Sequence, residues 1–294
     1  MTKNIQENVS PPAINGLAEK QQELRNMMRG MGRVLVAYSG GVDSSYLAAV
    51  ATEELGRDAC CVTGISASVS EFQRAQACKI AESRGFNYKT IDTDELSDAN
   101  YTANGTDRCF FCKDELYTRL STEAELLGAV VLDGTNADDL LDHRPGRIAA
   151  GNHGVRSPLA DLGFTKIDIR EASRELGLPT WDVPASPCLS SRIATGVPVT
   201  IERLGKVERA EACLRELGFR EFRVRLHDEL ARIEIGGDEM ARVMDPLMIA
   251  AVNQKFSLIG FRYITLDLEG FRSGSTGARP LGAGNLTQIS KLES

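Results

Sequence analysis

Residues 33–45, Arg-Val-Leu-Val-Ala-Tyr-Ser-Gly-Gly-Val-Asp-Ser-Ser, constrain the fold more than any other part of this 294-residue chain. The apolar run 34–37 has the length and β-branched content of a strand buried in a parallel sheet. It breaks at Ser39-Gly40-Gly41, where two glycines permit a sharp turn and a close approach of backbone to a ligand. Tyr46, Leu47 and Val50 then recur at helical spacing, which predicts a helix beginning near Asp43. Strand, glycine turn and helix N-terminus in that order form a cradle of backbone N–H groups for an anion, reinforced by the helix dipole. The hydroxyls of Ser39, Ser44 and Ser45 add donors. No lysine follows the glycines, so the loop is not of the Walker type.

The same alternation continues along the chain. Helices are predicted over 15–29 and 71–84, and strands over 59–65, 87–91 and 129–132. Strands separated by helical patterns imply an α/β fold, a parallel sheet with helices on both faces. Ligands in such sheets sit beyond the carboxyl ends of the strands, where Ser39 to Ser44 fall. Leu-Gly pairs at Gly56, Gly177 and Gly218 read as helix C-caps. Pro179, Pro184, Pro187 and Pro198 punctuate 178–199, which can be neither a long helix nor a central strand. The domain junction is placed there. Beyond it a helix over 201–217, strands over 221–226, 230–235 and 263–268, and one further helix suggest a smaller C-terminal α+β domain. The predicted division is a disordered 1–13, a nucleotide-binding domain 14–180, a junction loop 181–199, an α+β substrate and oligomerisation domain 200–272, and a mobile Gly/Ser-rich tail 273–294.

A net charge of −7 argues against a protein built to grip nucleic acid, which needs a basic surface. No apolar run approaches the roughly 20 residues of a membrane span, and the N-terminus lacks a signal-peptide pattern. The expectation is a cytoplasmic homo-oligomer acting on a small molecule. Seven cysteines in such a chain read as metal or redox chemistry plus core thiols rather than disulfides.

Arg108-Cys109-Phe110-Phe111-Cys112-Lys113 carries a Cys-x-x-Cys pair just before a helix predicted over 114–126. Two intervening residues let both sulfurs face one metal, and the flanking cations favour thiolates. A thioredoxin-like redox pair or half a zinc site fits equally. Cys188 lies in the junction between Pro187 and Ser190, away from apolar periodicity, whereas Cys60, Cys61, Cys78 and Cys213 fall in apolar patterns and read as core. Cys109, Cys112 and Cys188 are therefore the functional set. Three thiolates with no fourth protein ligand make an incomplete zinc site but suit an iron–sulfur cluster with one iron open.

Asp133-Gly134-Thr135-Asn136-Ala137-Asp138-Asp139 and Asp142-His143 follow a strand's carboxyl end, where acidic and amide groups can hold magnesium and orient phosphates. A solvated acidic loop is the plain alternative. His143, His153 and His227 show no metal-ligand spacing. Arg223 and Arg225 alternate with Phe222, Val224 and Leu226 and so share one strand face. That face is either solvated or, with Arg192, a clamp for phosphate or carboxylate.

The motif Ser39-Gly-Gly-Val-Asp-Ser44 resembles the pyrophosphate loop of PP-loop ATP pyrophosphatases, which split ATP into AMP and pyrophosphate. With Cys109-Phe-Phe-Cys112-Lys113, Asp133-Gly-Thr-Asn136, His143-Arg-Pro-Gly146, Pro184-Ala-Ser-Pro-Cys188-Leu-Ser-Ser-Arg192, Phe222-Arg-Val-Arg225 and Gly270-Phe-Arg-Ser-Gly274, the chain resembles LarE-type ATP-dependent sulfur transferases from about 33 to 272. The resemblance implies a PP-loop/HUP-like domain that binds ATP and Mg²⁺ through Ser39, Gly40, Gly41, Asp43, Ser44, Ser45 and Asn136. It implies adenylation of a pyridinium carboxylate mononucleotide and its conversion to a thiocarboxylate for a nickel-pincer cofactor. The substrate would lie against Arg192, Arg223, Arg225 and Ser191, with Asp43, Cys188 and Arg192 catalytic. Family members either sacrifice one cysteine as dehydroalanine or hold a [4Fe-4S] cluster with three, and Cys109, Cys112 and Cys188 favour the cluster. A PP-loop tRNA thiolase is the competing enzyme, disfavoured by the acidic charge. An amide-forming PP-loop ligase would have no use for the three cysteines. A non-catalytic nucleotide sensor with a structural metal is the competing class, and pyrophosphate release in the presence of substrate separates it from an enzyme.

Overall fold

A computed structural model describes residues 16–141, 144–184 and 186–271. The chain runs α1 (Leu17–Met31), β1 (Val34–Ala37), α2 (Val42–Leu55), β2 (Ala59–Ile65), α3 (Glu71–Arg84), β3 (Asn87–Asp92), α4 (Ala99–Thr102), α5 (Arg108–Leu127) and β4 (Val130–Leu132). It continues through α6 (Pro145–Asn152), α7 (Pro158–Asp161), α8 (Lys166–Glu175), α9 (Ile201–Glu216), β5 (Phe222–His227), β6 (Leu230–Ile235), α10 (Met240–Val243), α11 (Pro246–Ile259) and β7 (Tyr263–Leu266). The disorder expected over 1–13, the tail from 273, and Asp142 and His143 lie outside the described residues.

The first sheet is parallel in the order β3-β2-β1-β4. Helices cover both faces because β1, β2 and β4 are apolar on both sides, with period-two sorting, while the edge strand β3 is polar. Val34, Val36, Ala59, Cys61 and Leu132 meet Leu24 and Met28 of α1, Leu47 of α2, Ile80 of α3 and Ile169 of α8. Leu35, Cys60, Val62 and Val131 face the other way, onto Tyr117 and Leu120 of α5 and Ala149 of α6. Chain order reverses between β1 and β4, so a crevice opens beyond their carboxyl ends.

The second sheet pairs β5 and β6 antiparallel and β6 and β7 parallel. Its core joins Val224, Leu226 and Ile233 to Val207 and Leu214 of α9 and to Leu189, Ile193 and Val199 of the junction. Tyr101, Phe111 and Cys112 of the first half of the chain pack into this core, so the two units share an apolar boundary. Gly56, Gly177 and Gly218 have φ of 55°, 63° and 87°, the left-handed values that a C-cap glycine supplies.

One boundary differs from expectation in a way that matters. The helix expected from 114 begins at Arg108, so Cys109 and Cys112 lie inside its first turns rather than before it. Phe110 packs onto the α5–α6 side of the first sheet and Phe111 into the second core, so this segment is helical by tertiary packing on two sides.

Candidate active site

The loop between β1 and α2 is closed by its own hydroxyls. Ser44 Oγ donates to the Gly41 carbonyl at 3.2 Å, accepts the Ser39 N–H at 3.2 Å and lies 3.0 Å from Ser39 Oγ. Gly40 takes φ 74°, and a Cβ there would sit 2.9 Å from the Cα of Ala77 on α3. Glycine is therefore required twice over, by conformation and by packing. Across the crevice Gly134, after β4, comes so close that a Cβ would lie 2.9 Å from the Ser44 nitrogen. Ser45 is fully buried at the start of α2, and its N–H donates to Gly41 O at 2.9 Å.

Asp43 and Asn136 meet at the switch point, with Asn136 Nδ2 donating to Asp43 Oδ1 at 3.4 Å. Asn136 is itself held by Asp139, whose N–H donates to its Oδ1 at 3.2 Å. The other oxygen of Asp43 accepts the Lys166 ammonium in a tight ion pair. Lys166 escaped the sequence reading. The signal that finds it is a cation in the first turn of α8, where the helix dipole disfavours positive charge. Asp133 is not open to a metal as expected. It is buried and accepts from Tyr117 Oη at 2.9 Å, Ser157 Oγ at 2.7 Å and the Thr135 N–H at 3.1 Å, anchoring the loop after β4. Magnesium bound through one or two carboxylates and substrate phosphates suits Asp43.

Contacts of α4 and α5 with the junction bring the Cys188 loop near Cys112. Arg108 Nη1 donates to the Ser190 carbonyl at 2.8 Å, and Tyr101 Oη lies 2.6 Å from Ser190 Oγ. The Leu189 N–H donates to Ser68 O at 2.8 Å, pinning the Cys188 loop from the other side. Burial first, then the nearby Cys188, Glu95 and Cys109, push the Cys112 thiol up to about 12. Cys109 is exposed, while Cys112 and Cys188 are half-buried. Among the described residues no three His, Cys, Asp or Glu side chains are close enough to hold one metal ion. Of the cysteines read as core, Cys60 and Cys61 are buried, but Cys78 and Cys213 are only half-buried on their helices.

The arginine face of β5 is buried, against the solvated alternative: Arg223 is 2% and Arg225 6% exposed. Their roles divide. Arg225 donates to Glu234 at 3.1 Å and to Ser191 O at 2.8 Å, so its guanidinium and the Ser191 carbonyl brace each other. Arg192 donates to Glu211 at 2.9 Å and to Pro187 O at 2.6 Å, holding the Cys188 loop by its carbonyls. Arg223 stacks 4.7 Å over Phe271, and burial together with Arg192 and Arg225 pushes its pKa down to about 10. A cavity of about 370 Å³ lies between the units, lined among others by Ser186, Pro187, Arg192, Arg223 and Phe271. Gln73 at the start of α3 donates to Ser186 O at 2.6 Å and ties the phosphate-loop domain to that wall.

Comparison with known proteins gives three kinds of relative. The family model for NAD synthase matches residues 18–126, from α1 into α5. An uncharacterized Synechocystis sp. protein is 44% identical over 259 residues, 88% of this chain and 97% of that one. The pyridinium-3,5-bisthiocarboxylic acid mononucleotide synthase of Lactiplantibacillus plantarum is 40% identical over 263 residues, 88% of this chain and 94% of that enzyme. A glutamine-hydrolysing GMP synthase polypeptide from Thermoplasma volcanium is 27% identical over 190 residues, 59% of this chain and 60% of its own.

Proposed function

Because the chain belongs to the LarE-type family of ATP-dependent sulfurtransferases built on a PP-loop domain, we propose that it converts both carboxylates of a pyridinium dicarboxylate mononucleotide to thiocarboxylates. In each round a substrate carboxylate oxygen attacks the α-phosphorus of ATP, giving an acyl adenylate and releasing pyrophosphate. A sulfur nucleophile then adds to the activated carbonyl, and AMP leaves as the C–O bond breaks. Adenylation is needed because a free carboxylate offers no leaving group.

The residues divide that work by position. Ser39, Gly40, Gly41 and Ser44 bind phosphate oxygens through the loop and the α2 N-terminus, and Asp43 with Asn136 orients the metal-bound phosphates. Arg223 takes the mononucleotide phosphate. Arg192, Arg225 and Ser191 hold the wall behind it and carry Cys188, a change from the direct clamp expected of them. Cys109, Cys112 and Cys188 would hold a [4Fe-4S] cluster, which when bound supplies an open iron for a transferable sulfide.

What carries the reading is one cavity lined both by Pro187 and Leu189, the neighbours of Cys188, and by the buried Arg223, so that the loop carrying a thiol and a cation suited to a phosphate share the same space. The test is anaerobic purification with iron and sulfide analysis, then pyrophosphate release and mass spectrometry over several turnovers with added sulfide. The expected result is substrate-dependent pyrophosphate, about four irons per chain and an intact Cys188. Loss of the Cys188 sulfur with no iron bound would replace the cluster by the sacrificial mechanism, and absence of thiocarboxylate would refute the substrate.

A further inference from the structure

Asp43 is the carboxylate placed to take a magnesium ion, yet both its oxygens already have donors. Oδ1 accepts from Asn136 Nδ2 at 3.4 Å, and Oδ2 accepts the Lys166 ammonium. Lys166 is stationed there against the local electrostatics, as a cation in the first turn of the ten-residue α8. Its main chain is fixed in place. The Lys166 N–H donates to Asp138 Oδ2 at 2.7 Å, and Thr165 and Asp168 close a reciprocal capping box around the same turn. The side chains are less confined, 36% exposed for Lys166 and 22% for Asp43, so the ammonium can leave without breaking the helix start.

We propose that Lys166 is an exchangeable cation of the phosphate loop. Without nucleotide it neutralises Asp43. When ATP and Mg²⁺ bind, the metal takes the Asp43 oxygen and the ammonium moves onto the triphosphate. No covalent bond changes: one ammonium–carboxylate pair is exchanged for a metal–carboxylate contact and an ammonium–phosphate contact. Lys166 thereby acts as a positioning residue for Asp43 and as a ligand of the nucleotide.

The arrangement makes metal and nucleotide depend on each other. A metal ion alone must evict the ammonium from Asp43 without supplying a phosphate in exchange. ATP alone gains the ammonium but sets its phosphates against a bare carboxylate. Together they exchange partners without leaving a charge unpaired, which is a coupling free energy between two ligands.

This inference rests on the ATP-binding part of the proposed function, and its test needs no pyridinium substrate. Mn²⁺ alone, followed by electron paramagnetic resonance, and ATP, followed by calorimetry with and without Mg²⁺, are the probes. In the wild-type protein ATP should tighten Mn²⁺ binding by roughly tenfold or more. Lys166→Gln should bind Mn²⁺ alone about tenfold tighter and ATP·Mg²⁺ about tenfold weaker, leaving only the coupling that direct metal–phosphate coordination supplies. A lysine with a merely structural part would move both affinities the same way. Unchanged ATP·Mg²⁺ affinity in a folded Lys166→Gln, or Mn²⁺ binding no tighter, overturns the proposal. Should that variant not fold, the absence of coupling in the wild type does the same. Intact exchange with no thiocarboxylate formed would sink the sulfur-transfer reading and leave this one standing.

Discussion

Replacing Arg223 by Met tests whether this buried cation is kept for ligand binding or for stability. Its pKa falls to about 10 in the fold, chiefly by burial and then by Arg192 and Arg225. A cation whose folded pKa lies below its unfolded one carries a penalty that is full below the folded value and vanishes only above the unfolded one. At every pH from acid to about 10, Arg223 therefore weakens the fold. The fall sets an upper bound of about 3 kcal/mol, and the order of magnitude is one to a few kcal/mol. Against this, Met gives up the stacking on Phe271, worth about 0.5–1 kcal/mol, and the guanidinium's attraction to Glu234 and Glu211. The net expectation is a variant within about 1 kcal/mol of the wild type, a calorimetric Tm moved by no more than roughly 4 °C. Substrate affinity should meanwhile drop by one to two decades, from losing about 1.5–3 kcal/mol of charge-assisted hydrogen bonding. A Tm lowered by many degrees with unchanged nucleotide affinity would refute the reasoning and make Arg223 a structural ion.

The pair Arg192–Glu211 should behave oppositely, since Glu211→Gln strands a buried guanidinium and should cost about 3–5 kcal/mol, read as a large fall in Tm and loosening of the Cys188 loop. Gly40→Val must drive a side chain into Ala77 at a left-handed φ of 74°, and should abolish ATP binding by calorimetry while the fold persists by circular dichroism. In cluster-free protein at pH 8, iodoacetamide should modify exposed Cys109 well before Cys112, whose thiol stays protonated until pH approaches about 12; peptide mapping that finds Cys112 labelled first contradicts this. Burial alone would raise Asp168, but hydrogen bonds from Lys20 and Thr165 outweigh it and hold the carboxyl below its ordinary value, so its stabilisation is present above that value and lost as pH falls through the lower folded one. Urea midpoints from pH 7 to 2 should accordingly converge for wild type and Asp168→Asn at the acid end.

Features that depend on neighbours a few residues away could be read from the chain alone. β-branched runs set β1 and β2 at the expected residues, Leu-Gly pairs ended three helices, and two glycines marked the turn from β1 into α2. These features follow from backbone dihedrals and from periods of 2 and 3.6 residues, which are local quantities. Cys109 and Cys112 stood out by their Cys-x-x-Cys spacing, and Cys188 by lying in a proline-rich stretch with no apolar period. Which side chains become partners was settled in three dimensions. Arg223 and Arg225 are indistinguishable along the strand, yet Glu234 on the neighbouring strand claims Arg225, while Arg223 stacks on Phe271 at the cavity wall. Lys166 reaches Asp43 across 123 positions, and the helix carrying Cys109 and Cys112 starts early because Phe110 and Phe111 find two different cores. Charge pairing and burial are set by distance in space, and the crossover of β4 past β1 fixes those distances with no mark at any single residue.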